Sequence, residues 1–95
     1  MSMAAMLALP AQLTLRQARA ALAVLLPALR ACPEAQLVLD ASALQVFDSS
    51  ALAVLLECRR DALAVRKTFA VHGLPPALAG MAVLYGVAEL LPAAP

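Results

Sequence analysis

Two neighbouring stretches decide the fold: Gln36-Leu37-Val38-Leu39-Asp40, and Val46-Phe47-Asp48-Ser49-Ser50-Ala51-Leu52-Ala53-Val54-Leu55-Leu56. In the first, Leu37 to Leu39 is an unbroken apolar run closed by a carboxylate. A strand with one wet face would alternate, so this run fits a strand buried on both faces, as in a parallel sheet. In the second, Asp48-Ser49-Ser50 offers side-chain oxygens to the free N–H groups at a helix start. A helix is therefore expected from there to about Arg66, with residues 41–47 as the connection.

Upstream, Leu7 to Leu9 is a short strand candidate, Pro10-Ala11 punctuates it, and Gln12 to Leu15 can form a second strand. Thr14 with Gln17 three residues on is a capping-box signature. The helix it opens should reach about Arg30, and Pro27 should kink or break it near Leu26. Cys32-Pro33-Glu34 reads as a loop. Downstream, Thr68 to His72 reads as a strand ended by Gly73. Pro75 and Pro76 suit the first turn of a helix to about Gly86. Val87 to Leu91 is a short terminal segment and Pro92 to Pro95 a frayed tail. The order β-β-α-β-α-β-α implies an α/β layer structure in a single domain, residues 1–95.

Composition narrows the function. The chain has 95 residues, 64% hydrophobic and 3% aromatic, so its core must be aliphatic and part of its apolar surface is available to a partner. A net charge of +1 lacks the clustered basic face that nucleic acid requires. Arg59-Arg60 and Arg66-Lys67, split by Asp61, read as a solvated helix face. Two long runs, Met1 to Leu15 and Thr68 to Ala88, carry no Lys, Arg, Asp or Glu. Pro75, Pro76, Gly73, Gly80 and Gly86 divide the second, and the first has no basic leader, so neither reads as a membrane span or signal peptide. Cys32 and Cys58 have no metal-type spacing and read as reduced thiols.

The helix after Asp48 is expected to have two apolar faces. Ala51, Val54, Leu55, Cys58, Ala62 and Val65 fall on one arc and would meet the core. Leu52, Leu56 and Leu63 fall on a second, flanked by Ser49 and Arg60. A second stripe has two readings: a docking surface, or burial against another helix of the same domain. Ser49 also sits where a phosphate would be favoured by the helix dipole, although capping alone explains a serine there. The search for catalysis finds little. His72 has no adjacent nucleophile, Asp40 reads as a turn-former, an Asp40–Asp48 carboxylate pair is a bare alternative, and there is no phosphate loop or metal constellation.

These residues together resemble the STAS family. There a buried strand ends in Asp, as in Leu37-Val38-Leu39-Asp40, and an Asp-Ser-x-Gly-Leu element opens a helix, as in Asp48-Ser49-Ser50-Ala51-Leu52. The closing segment is also similar: Val71-His72-Gly73-Leu74-Pro75-Pro76-Ala77-Leu78, then Leu84-Tyr85-Gly86-Val87 and Leu90-Leu91-Pro92. Ala51 stands where the family often has Gly. The resemblance implies an α/β fold with a STAS-like mixed β-sheet and interleaved α-helices. Within the family the chain looks most like the branch serving Mla-type phospholipid ABC transporters. That likeness implies a non-enzymatic regulatory subunit, cytoplasmic and peripheral to the inner membrane through its complex. It would bind the transporter's ATPase subunit, in a complex with permease and substrate-binding subunits that maintains outer-membrane lipid asymmetry. No catalytic residue, cofactor, metal, nucleic acid or direct membrane insertion is implied. The docking face would be Ser49, Leu52, Leu56, Arg60 and Leu63, edged by Ser50 and Ala53. A second branch, the anti-sigma factor antagonists, would make Ser49 a phosphorylation site whose modification releases the partner.

Overall fold

The uninterrupted Leu37-Val38-Leu39 run occupies the centre of a parallel sheet in the computed structural model, which describes residues 4–94. This strand, β3 (Gln36–Asp40), lies between β1 (Ala4–Ala8) and β5 (Thr68–His72). The rows Ala5–Leu37–Phe69 and Leu7–Leu39–Val71 point to the core. The intervening row, Met6–Val38–Ala70, lies on the opposite face, where Ala4, Met6, Ala8, Thr68 and His72 are exposed. All described strand pairings are parallel, including that of β2 (Gln12–Leu13) with β4 (Val46–Phe47). Strand β4 lies inside the segment expected to be a connection. Two residues are too few to show a periodicity.

Helix α1 (Leu15–Ala31) begins at the expected capping box, with the Thr14 N–H donating to Gln17 Oε1 at 2.8 Å. It runs through Pro27 as one continuous helix, so the break allowed for near Leu26 does not occur. Proline deprives only the Ala23 carbonyl of its partner, and both residues are exposed, so water can take that carbonyl. Helix α2 (Ser49–Ala64) packs along α1. It ends earlier than expected, at Val65, whose N–H bonds back to Asp61 and Ala62. Val65, assigned above to the core arc, is exposed as a consequence. Arg66 then takes a left-handed backbone, φ 62°. Lys67 is not part of a solvated face: it is buried, and its ammonium donates to the carbonyls of Cys32 and Glu34. That contact ties the end of α2 to the loop after α1.

Helix α3 (Pro76–Leu84) carries proline in its first turn, as expected, and buries Leu78 and Ala82. A single 3-10 turn, Ala88–Leu90, follows. The segment read as a frayed tail is instead ordered against β5: Val71 N–H donates to Pro92 O at 2.8 Å and Ala94 N–H to Val71 O at 2.9 Å. Pro95 lies outside the described residues. The core itself is aliphatic, built on Leu13, Leu29, Leu37, Leu39, Leu55 and Leu78, with Phe69 at its margin.

Two glycines have left-handed backbones, Gly73 at φ 69° and Gly86 at φ 73°, but only Gly73 is crowded: an added Cβ would lie 2.9 Å from Ser42 Cβ. Gly86→Ala should cost about 1–2 kcal/mol from backbone strain alone. Gly73→Ala should cost more, roughly 2–3 kcal/mol, because Ser42 must also shift. Urea unfolding midpoints of the two variants, compared with the parent at equal m-value, check this order.

Candidate functional site

Free N–H groups at two helix starts converge on one carboxylate. Asp48 Oδ1 accepts from Ser50 N–H at 2.8 Å, capping α2, and Oδ2 accepts from Leu15 N–H at 3.2 Å, at the start of α1. These hydrogen bonds, Ser50's foremost, hold its carboxyl below the usual carboxylate range. Ser49, the first helical residue, is exposed, and Ser50 is half-buried.

Along α2, Ala53, Arg60 and Leu63 are exposed and Leu56 is half-buried against the core. Leu52 departs from the expected face: only 3% exposed, it belongs to the core cluster. The helix packs on α1 and α3 as well as on the sheet at β5, so its buried arc is wider than a one-sided helix needs. Of the expected docking residues, Ser49, Ala53, Leu56, Arg60 and Leu63 remain as an outward strip. Ala51 is fully buried, so its methyl group, where the family often has glycine, fills core space.

Beside α2, helix α3 ends in three exposed apolar side chains, Val83, Leu84 and Tyr85. Sequence reading named Leu84 and Tyr85 for their family likeness and missed their exposure. Spacing was the available signal for two of them: Leu78 and Ala82 define the buried stripe and positions 83 and 84 fall off it, whereas Tyr85 falls on it and is exposed where the helix ends.

Nothing described here assembles a reaction centre. The Ser42 hydroxyl foremost, then the Ser42 N–H that donates to Asp40 Oδ1 at 2.9 Å, lower the Asp40 pKa, His72 adding a smaller charge effect. Asp40 is thus the turn-former expected, and no hydrogen bond joins it to Asp48. His72 is exposed at the end of β5. Among the described residues no group of three His, Cys, Asp or Glu could hold a metal ion, and no helix is long and apolar enough to cross a membrane. A hollow of about 440 Å³ beside β5 and α3 is lined by Val71, Leu74, Ala82, Val83 and Leu91, with no titratable side chain.

A parallel sheet, an Asp-Ser helix start and a proline-led final helix in this order define a STAS domain. The chain belongs to the family described as "Mlab, STAS domain", which matches residues 2–92. No curated protein matches it. Among solved structures, an anti-sigma-factor antagonist (STAS) domain protein from Planctomyces limnophilus shares the fold, with TM-score 0.78 at 16% identity, over 93% of this chain and 79% of that one.

Two outcomes follow for the titratable groups. The carboxylates of Asp40 and Asp48 have depressed values in the fold, so their contribution is complete above the unfolded value of about 4 and disappears as pH falls through the lower folded values. Stability should therefore drop on acidification below about pH 4, and less steeply in Asp48→Asn, as measured by thermal melts across pH. Burial, reinforced by Asp61 and Glu57, pushes the Cys58 thiol up to about 12. Ellman's reagent at mild alkaline pH should titrate the half-buried Cys32 in the native protein and reach Cys58 only after unfolding.

Proposed function

We propose that this chain is a non-enzymatic STAS subunit that binds and regulates the cytoplasmic ATPase, MlaF-like, of an Mla-type ABC phospholipid transporter maintaining outer-membrane lipid asymmetry. The observation that carries the reading is the outward strip of α2, Ser49, Ala53, Leu56, Arg60 and Leu63, in a member of the Mlab STAS family. The strip offers aliphatic contact area at Leu56 and Leu63 and one arginine for a partner's carboxylate. The permease and substrate-binding subunits would meet this domain only through the ATPase, which keeps it at the membrane without insertion.

A second reading, an anti-sigma factor antagonist switched at Ser49, is favoured by that hydroxyl's exposure at the first turn of a helix. Phosphorylation would place about two negative charges beside the ionised Asp48, which already occupies the Ser50 and Leu15 N–H groups. That local repulsion weighs toward unmodified docking.

Pull-down of the cognate ATPase separates the two. Leu63→Asp and Ser49→Glu should each reduce capture by about tenfold or more while leaving the circular dichroism spectrum intact, because both positions are exposed. Leu56→Asp should do the same, with some loss of stability, as Leu56 also packs on the core. Undiminished capture by all three would overturn the assigned face. A phosphate on Ser49, found by intact mass analysis of protein taken from cells, would favour the second reading.

A further inference from the structure

We propose that the chain self-associates through the outer edge of β1, two copies pairing antiparallel about a two-fold axis so that two three-stranded sheets join into one. The two edges of the sheet are treated differently by the fold. On the β5 side, Pro92 and Ala94 take up the outward backbone groups of Val71. On the other side, β1 pairs only with β3 among the described residues, leaving a row of outward N–H and C=O groups. Its sequence, Ala4-Ala5-Met6-Leu7-Ala8, contains no charge, proline or glycine. Among the described residues this edge has no charge, proline or bulge to deter strand addition.

Apolar surface flanks this edge above and below. On the open face, Met6 is 57% exposed and extends the row Met6–Val38–Ala70 outward. On the helix face, a hollow of about 420 Å³ lies between the C-terminal end of β1 and α1, lined by Ala8, Leu9, Ala20, Ala21 and the 70% exposed Val24, together with Gln12 and Gln17.

A second copy satisfies both faces at once. An antiparallel pair centred on Met6 sets the two Met6 side chains against each other, continuing the apolar row from one sheet into the next. Leu7 then faces Ala5 of the partner subunit, large against small. A two-fold axis normal to the sheet keeps both helix layers on one side. Each α1 therefore approaches the other along the arc of Gln17, Ala20, Ala21, Val24 and Ala28, whose small side chains allow close approach. Arg16, Arg19 and Arg30 fall on a different arc. No like charges meet across the axis, since the row of Asp40 and His72 faces the row of Gln36 and Thr68. A net charge of +1 adds little long-range repulsion.

Sedimentation equilibrium of the full chain should show a monomer–dimer equilibrium. Met6→Lys should weaken the dimer by about tenfold or more, because two lysines would face each other on the axis. It should leave the fold unchanged, as Met6 is exposed. In a Cys32→Ser background, Met6→Cys should be captured as a covalent dimer by a short bis-maleimide, since paired Cβ atoms would stand about 4.5–5.5 Å apart, mostly beyond direct disulfide reach. A chain that stays monomeric at every concentration would overturn the proposal. So would a dimer that Met6→Lys leaves intact, or one in which Met6→Cys fails to cross-link. The β1 edge lies on the far side of the sheet from β5, and its residues are not those of the α2 strip. Failure here would therefore leave the ATPase reading standing.

Discussion

Everything distinctive in this domain depends on one carboxylate shared by two helix starts. Asp48 caps α2 through Ser50 and reaches the first N–H of α1 at Leu15. The geometry behind this is a single rung. Strands β2 and β4 pair Gln12 with Val46 and Leu13 with Phe47, so the next residues in register are Thr14 and Asp48, the two N-caps. A two-residue pairing is weak on its own. The shared carboxylate and the two cap geometries make it a fixed point from which both helices leave side by side. Their far ends are joined again, by Lys67 reaching the carbonyls of Cys32 and Glu34. The exposed Arg30–Asp61 ion pair between the same helices contributes little beside these.

Helices fixed at both ends must pack along their length, and that explains why α2 has one free strip rather than two free faces. Contact with α1, β5 and α3 widens its buried arc until Leu52 lies inside it. The outward positions 49, 53, 56, 60 and 63 then recur at alternating steps of four and three. This is the spacing of a single line on a helix surface. A partner helix laid along that line would meet a hydroxyl, an alanine, two leucines and an arginine, with Leu56 linking the strip directly to the core beneath.

What the sequence makes legible is local chemistry, and what it hides is contact between distant segments. Asp48 as a cap, the Thr14–Gln17 box, the continuous apolar run of β3 and the proline start of α3 all announce themselves within a few residues. The second role of Asp48, on Leu15, joins positions 33 residues apart and leaves no local trace. The same is true of Lys67, which reads as a surface cation beside Arg66 yet serves as a buried donor. Helical arcs placed Leu52 and Val65 wrongly for opposite reasons: one meets neighbouring structure the arc cannot know about, the other falls beyond the helix end. Strand β4 and the Pro92–Ala94 segment were missed because neither is long enough to show a period.

Both edges of the sheet carry outward backbone groups, and among the described residues only the β5 edge meets another segment, at Val71. That contact is made by backbone hydrogen bonds of Pro92 and Ala94 with one residue, which meets part of the edge's demand for partners. The β1 edge makes the same demand and lies beside the helix layer's smallest side chains. The α2 strip and the α3 terminus are formed by other elements, and β3 and β5 separate them from that edge in strand order. Sites with no shared neighbours act additively. The domain can therefore present an edge that calls for a strand and a helix face that calls for a partner's surface, with occupation of one leaving the other geometrically intact.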